Sequence, residues 1–229
     1  KEDIWISRIP VSVQGEVSGP VADDFDQMEL GSTPTYWNIY SPKWCPIEIG
    51  RSPDGDENVL VINDYDPHDY AKAVRVFQKA ERSSICFHLY VEANPEQLAI
   101  EVVSANGTRC VQARIEKDGS LMAKNGRSST HTSVVPSGQW IQVEIDIDAP
   151  KQCYEMRIDG TTVAENHAFA AEGQPERIIF RTGAYRLYDD TVQKYKSGDA
   201  HIPGWDEPEP DEMAPKATFY IKSFGVSGM

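Results

Sequence analysis

The sequence predicts an all-β protein with two antiparallel sheets packed as a jelly-roll sandwich. The first observation is period-two alternation of apolar and polar residues in short segments, which is the pattern of half-buried strands. The second is the turn chemistry between those segments, such as "SPDGDEN", "KDG" and "IDGTT", where Asp, Asn, Gly and Pro favour tight reversals. The third is that no window of about a dozen residues has helical spacing. Many short strands separated by such turns are typical of sandwiches.

The predicted strands follow one another along the whole chain. They cover residues 3–7, 36–40, 46–49, 59–63, 73–79, 83–92, 97–104, 108–116, 120–124, 139–147, 153–158, 161–164, 176–182 and 217–225. In "YWNIY", Trp37 and Ile39 share one face, which predicts that Trp37 lies in the core because an indole buries a large apolar area. In "SSICFHLYVE", Phe87 and Leu89 are on one apolar face. In "QWIQVEIDID", Trp140 and the aliphatic side chains are expected to pack inward while the acids face solvent.

The chain is predicted to contain one main domain. Residues 1–20 form an N-terminal strand and linker, interpreted as the end of a preceding domain, and residues 21–229 form a single β-sandwich. The chain begins with Lys and has no signal-peptide pattern, so it is interpreted as a mature or excised piece. A long loop at about 183–216 interrupts the alternation. A loop of that length in a compact domain is commonly functional, and the alternative is a solvated acidic crossing loop.

Charge and cysteine spacing exclude several classes of function. The 22 basic and 36 acidic residues give a net charge of −14, which makes nucleic acid and anionic membranes poor partners. No apolar stretch approaches the roughly 20 residues of a membrane span. The four cysteines form no C-x-x-C pair, which argues against a zinc or iron–sulfur site. Alternation places Cys86, Cys110 and Cys153 on the polar faces of their strands, and Cys45 is the fourth cysteine. These cysteines could form a disulfide if the protein is exported, or they could remain free thiols, and both alternatives stay open.

Several segments together carry a resemblance to a known fold family. The motifs are "VADDF", "WNIYSPKWCPIEI", "GQWIQVEIDID", "YEMRIDGTTVAE", "RIIFRTGAYR" and "FYIKSFGV". They resemble a concanavalin A-like, laminin G-like β-sandwich, similar to the modules attached to bacterial polysaccharide-degrading enzymes. The opening "KEDIWISRIPV" resembles the last strand of a BNR-repeat β-propeller. The resemblance implies a secreted protein in an extracellular or periplasmic location, with a polysaccharide as partner and a β-propeller or other catalytic domain beside it.

One candidate catalytic motif is "EIDID", from Glu144 to Asp148. It resembles the E-x-D-x-E signature of retaining glucanases on this fold. The two outer positions lie about 13 Å apart at Cα on a strand, whereas a retaining carboxyl pair needs about 5–5.5 Å. Asp148 is also a methylene shorter than the glutamate of that signature. We therefore predict that Glu144 and Asp148 are not catalytic and that the chain has no catalytic residue.

A lyase is the second enzymatic alternative. "FRTGAYR" resembles a strand of alginate-lyase-type sandwiches, in which Tyr185 would transfer the proton while Arg181 or Arg186 neutralises a uronate carboxylate. The Gln-x-His and Arg-x-Glu-x-Arg strands of that family are missing. His88 is a strand histidine with Tyr90 on its face, and a lone histidine of this kind is more often structural.

The predicted ligand-binding residues lie mainly in the long loop. They are Tyr185, Arg186, Tyr188, Trp205 and, in a separate turn, Trp44. Arginine can pair with a carboxylate or sulfate while aromatic rings stack on sugars. The alternatives are that Arg186 pairs with a neighbouring aspartate and that Trp205 and Trp44 only pack on the sheet.

No cofactor is predicted, with structural calcium as the alternative. Its ligands would come from two acidic loops. These hold Asp23, Asp24 and Asp26, and Asp54, Asp56 and Glu57. Lys222 lies near the position where such sandwiches often place a further acid, and its charge opposes the site. The leading hypothesis is thus a non-catalytic carbohydrate-binding or structural accessory module. The alternative is a polysaccharide lyase or glycoside hydrolase that acts on an acidic glycan.

Overall fold

The computed structural model describes residues 15, 17–66, 69–93, 97–169, 171–183 and 213–228. Strands make up 58% of these residues and no α-helix is among them, so the all-β prediction is confirmed. The strands are β1 Val21–Asp23, β2 Trp37–Tyr40, β3 Ile47–Arg51, β4 Asn58–Asp64, β5 Lys72–Val76, β6 Arg82–Ala93, β7 Leu98–Val103, β8 Arg109–Ile115, β9 Ser120–Asn125, β10 Ser128–Val134, β11 Trp140–Asp148, β12 Cys153–Ile158, β13 Thr161–Ala168, β14 Arg177–Thr182 and β15 Ala217–Gly228. One 3-10 turn spans Phe25–Gln27. In the described ranges, no helix has the length and apolar character needed to cross a membrane.

The strands form two antiparallel sheets, as predicted. Sheet A has the order β13-β12-β11-β6-β15-β4-β3, and β1 adds to it by pairing with β15. Sheet B has the order β10-β9-β8-β7-β14-β5-β2. Because strands distant in sequence lie side by side in both sheets, the connections cross between the layers, as they do in jelly rolls.

The core lies between the two sheets and follows the alternation of the sequence. On β11 the residues at odd positions, such as Val143 and Ile145, are buried, and those at even positions face outward. Trp37 is only 5% exposed and its ring packs edge-on against Phe224 at a centroid distance of 5.1 Å. The prediction that Trp37 belongs to the core is confirmed.

A buried ion pair joins the two sheets beside Trp37. Asp23 of β1, in sheet A, accepts hydrogen bonds from Arg75 of β5, in sheet B, at 2.7 Å from Nε and 2.9 Å from Nη2. The indole Nε1 of Trp37 donates to the same carboxylate at 2.9 Å. Both ion-pair side chains are about 5% exposed. We call this group of three residues the buried clasp.

The structure corrects two parts of the strand interpretation. Strands β1 and β10 were not predicted, and β10 carries almost no apolar side chain to reveal it. Cys110 was expected on a polar face but is 2% exposed, and its Sγ lies 3.6 Å from the carbonyl oxygen of Gly173. The reason is a bulge, because Val102 pairs with Val111 while Val103 pairs with Arg109, so that Cys110 is the extra residue. The predicted strand 3–7 lies outside the described residues.

Candidate functional site

Most of the ligand-binding residues predicted from the sequence lie outside the described residues. These are Tyr185, Arg186, Tyr188 and Trp205, which follow β14. Trp44 is described: it is half-buried between β2 and β3, and the Lys43 ammonium lies 4.9 Å from the centre of its ring. These five assignments remain predictions.

Two of the three acids of β11 are bound by one arginine. Glu144 and Asp146 project from the outer face of sheet A, beside Arg157 of β12. Arg157 donates to Glu144 at 3.2 Å, to Asp146 at 2.5 Å and to Glu155 at 2.6 Å. These three hydrogen bonds raise the pKa of Arg157 above its ordinary value. We call these four residues the Arg157 cluster, and its side chains are 28–40% exposed.

Asp148, at the end of the same strand, has separate partners. It forms ion pairs with Arg82 at 3.2 Å and with Lys151 at 3.3 Å. A glycosidase needs one carboxyl with a raised pKa beside an ionised one. Here Glu144 and Asp148 are each paired with a different cation, and that they are not catalytic stays a prediction.

The two described residues of the lyase alternative, His88 and Arg181, lie on opposite sides of the sandwich. His88 is on the outer face of β6 in sheet A, whereas Arg181 is on the outer face of β14 in sheet B. The Arg181 guanidinium stacks on the ring of Tyr70 at 3.9 Å. Because the core separates these two faces, His88 and Arg181 cannot act on one sugar. Tyr185 lies outside the described residues.

Three aromatic side chains form a row across the outer face of sheet A. Trp140 of β11 is directly opposite Tyr90 of β6, which is directly opposite Tyr220 of β15. The ring centroids are 5.5 Å apart between Trp140 and Tyr90, and 5.7 Å apart between Tyr90 and Tyr220. Both contacts are edge-to-face and all three residues are half-buried. We call these residues the aromatic row.

Polar groups border the aromatic row at both ends. The Trp140 Nε1 donates to Asp54 Oδ1 at 2.9 Å, and the Lys222 ammonium lies 4.4 Å from the centre of the Trp140 ring. At the other end, the Tyr220 hydroxyl donates to Glu92 at 2.6 Å. Burial and this hydrogen bond raise the pKa of Tyr220. The hydrogen bonds from Ser52 and Trp140 lower the pKa of Asp54.

His88 lies next to the aromatic row on the same face. It is directly opposite Gln142 on one side and Lys222 on the other. Its Nδ1 is buried and has no hydrogen-bond partner among the described residues. Burial lowers the pKa of His88, and the positive charge of Lys222 lowers it further. The imidazole is therefore neutral at neutral pH.

The outer face of sheet B has a different character. Arg181 and Arg114 lie on either side of Ala99, which is 1% exposed. Glu101, also on this face, is 4% exposed and pairs with Arg109 at 2.5 Å. The centre of this face is thus filled by long charged side chains that lie over small or buried residues.

Neither acidic loop is organised as a metal site. Asp23 belongs to the buried clasp, Asp26 accepts from the Asn58 backbone N–H at 2.6 Å, and Glu57 pairs with Lys222 at 2.9 Å. No group of three or more His, Cys, Asp or Glu residues in the described ranges is placed to hold a metal ion. All four cysteines are free thiols in the structure. The absence of a cofactor remains a prediction.

One open groove of about 710 Å³ lies at an end of the sandwich. Amide and charged side chains dominate the described residues that line it, and none of these is aromatic. They include Lys79, Glu81, Asn106, Gln152, Glu172 and Gln174.

Sequence reasoning missed the aromatic row. It placed Trp140 inward, but Trp140 shares the phase of Gln142 and Glu144 and therefore lies on the outer face. That phase could be predicted from the sequence. The order of the strands could not, and it is the order β11-β6-β15 that brings Trp140, Tyr90 and Tyr220 together.

The fold defines the chain as a jelly-roll sandwich of the concanavalin A-like class. Solved structures with this fold include the apo Crh5 transglycosylase, with 14% identity, a TM-score of 0.59, and coverage of 92% of this chain and 85% of that one. A Bacillus licheniformis β-glucanase has 9% identity, a TM-score of 0.55, and coverage of 93% of this chain and 100% of its own. At these identities the likeness shows the fold alone.

The sequence family described as "Sialidase-like, CBM domain" matches residues 37–194. This is more than half of the chain, so the chain belongs to this family of sialidase-like carbohydrate-binding modules. A solved structure titled "Sialidase" has 26% identity and a TM-score of 0.75, and the match covers 92% of this chain. The chain spans only 18% of the length of that sialidase. No curated protein sequence matches the chain.

Proposed function

We propose that this chain is a non-catalytic carbohydrate-binding module of a larger, secreted protein that acts on polysaccharides. The observation that carries the proposal is the family match, which assigns residues 37–194 to a carbohydrate-binding family. A role related to carbohydrate is also supported by the similarity to a sialidase at 26% identity.

The chemistry of β11 supports the non-catalytic part of the proposal. A retaining hydrolase would need Glu144 as a free nucleophile and a second carboxyl that shares its proton with the leaving group. In this chain Arg157 binds Glu144, Asp146 and Glu155 together. Glu144 is therefore already engaged by a cation that also binds two other carboxylates, which is not the arrangement of a free nucleophile beside an acid.

The larger context is proposed from the length of the relative. Since the chain spans 18% of the sialidase that it resembles, a catalytic domain such as a β-propeller is the expected neighbour. Enzymes that degrade polysaccharides meet their substrate outside the cytoplasm, so the expected location is extracellular or periplasmic. The proposed role is to hold a polysaccharide near that neighbouring domain, which raises the effective substrate concentration.

The test uses the whole chain on a panel of soluble and insoluble polysaccharides. Retention is read by affinity electrophoresis and pull-down, and turnover is read as new reducing ends and as unsaturated uronate products. We expect retention on at least one polysaccharide and no new ends. New reducing ends that are lost in Glu144→Gln, with folding preserved, would establish the hydrolase alternative, and unsaturated products would establish the lyase.

A further inference from the structure

We infer that the aromatic row on sheet A is the sugar-binding site of this chain and that it takes neutral sugars rather than acidic ones. This inference rests on the proposed function, since it names the site and the ligand class of a carbohydrate-binding module.

The arrangement of the three rings matches the size of a sugar ligand. Trp140, Tyr90 and Tyr220 occupy directly opposed positions on three adjacent strands, so the row crosses two strand spacings, or about 10 Å. This is close to the length of a disaccharide. The rings lie on a rigid sheet, and a binding site on strands is held more precisely than one on loops. The apolar C–H faces of pyranose rings pack on aromatic side chains of this kind.

Hydrogen-bonding groups lie at both ends of the aromatic row. Asp54 and Lys222 border Trp140, and Glu92 borders Tyr220. Sites for small molecules combine apolar contact with a few polar groups that fix orientation. Carboxylate oxygens can accept from sugar hydroxyls, and the ammonium of Lys222 can donate to them. A hydroxyl-rich, flat-faced ligand matches both features.

The charges around the aromatic row favour a neutral ligand. Asp54, Glu57 and Glu92 surround the row, and the one ammonium in contact with it, among the described residues, is that of Lys222, which already pairs with Glu57. The chain as a whole carries a net charge of −14. The carboxylate of a sialic acid or uronate would therefore enter a region of negative potential. Among the described residues, the cation in contact with the row is Lys222, which is already paired with Glu57. A neutral hexose has no such cost.

Other surfaces fit a sugar less well. The groove of about 710 Å³ has no aromatic side chain among its described lining residues. On the outer face of sheet B, Tyr40 is 42% exposed and its ring centre lies 5.2 Å from that of Tyr70, but arginines and ion pairs fill the neighbouring positions. Tyr40 therefore provides a matched control, because it is a strand tyrosine on the opposite face.

The test measures binding of the whole chain to a glycan array that holds matched sialylated and desialylated chains, together with neutral β-glucan, neutral galactan and polygalacturonate. We expect binding to a neutral glycan and none that depends on a carboxylate. Trp140→Ala and Tyr220→Ala should each weaken this binding by at least about tenfold, the loss expected for a central aromatic contact. Tyr40→Ala should change it by less than about twofold.

A second measurement covers the case in which an alanine variant does not fold. Glycan binding should change the tryptophan emission of the wild type, and most of that change should vanish in the conservative variant Trp140→Phe. Full binding by folded Trp140→Ala and Tyr220→Ala would overturn the site while leaving the proposed function intact. Binding only to sialylated or uronate chains would overturn the ligand class. If the wild type bound no glycan at all, the proposed function itself would fail.

Discussion

The buried clasp and the outer face of sheet A contain the same two contacts in different surroundings. In each, an indole Nε1 donates to an aspartate at 2.9 Å: Trp37 to Asp23 in the clasp, and Trp140 to Asp54 on the face. In each, an arginine binds carboxylate. Arg75 and its partner are about 5% exposed, whereas the Arg157 cluster is 28–40% exposed.

This difference in burial separates a structural role from a role at the surface. A buried ion pair cannot exchange its partner for water, so removal of one member leaves a charge in the interior. The contacts on the outer face are open to water, so removal of one member leaves its partner hydrated. We therefore expect the clasp to determine stability and the outer face to determine binding.

The largest effect is expected for the arginine of the clasp. Arg75→Ala should lower the free energy of unfolding by about 3–5 kcal/mol, because the carboxylate of Asp23 stays buried without its cation. The matched variant Arg157→Ala should lower it by about 1 kcal/mol or less, since the carboxylates around it can be hydrated. Urea unfolding measures both. Equal losses of stability in the two variants would show that burial does not separate the roles of Arg75 and Arg157.

The two tryptophans should show the same difference with a smaller effect on stability. Trp37→Phe keeps the aromatic contacts with Phe224 but loses the hydrogen bond to a buried carboxylate, so it should cost about 2 kcal/mol. Trp140→Phe loses a bond of equal length to the exposed Asp54 and should cost about 0.5 kcal/mol or less. Thermal unfolding of the two variants under identical conditions would measure the difference. A larger loss for Trp140→Phe would mean that the aromatic row is mainly structural.

The clasp and the outer face also differ in how far the sequence predicted them. The burial of Trp37 followed from the alternation of "YWNIY", because period two is a local property of a strand. Its partner Arg75 could not be predicted, since that contact depends on how β1 and β5 meet across the sandwich. The aromatic row needed the order of three strands that are far apart in sequence.

Errors in the strand interpretation arose where alternation fails physically. A β-bulge adds one residue and shifts the phase, which is why Cys110 is buried although its neighbours suggested otherwise. Strand β10 is held by pairing with β9 and is exposed on most of its length, so its sequence carries no apolar pattern. The strand β1 has only three residues and is defined by its pairing with β15.

The smallest predicted effect concerns His88, which is more buried from solvent than Arg157 on the same outer face. Burial and the charge of Lys222 lower its pKa from the ordinary value of 6.5, while Asp159 and Glu57 act in the opposite direction. Between the lowered value and 6.5, the unfolded chain binds a proton that the folded chain does not, so stability should fall as the pH drops below 6.5. His88→Gln removes the group that binds this proton. Compared with the wild type, it should therefore lose less stability between about pH 7.5 and about pH 5 in urea unfolding. Identical pH slopes for His88→Gln and the wild type would show that the imidazole is as well hydrated as the rest of the face.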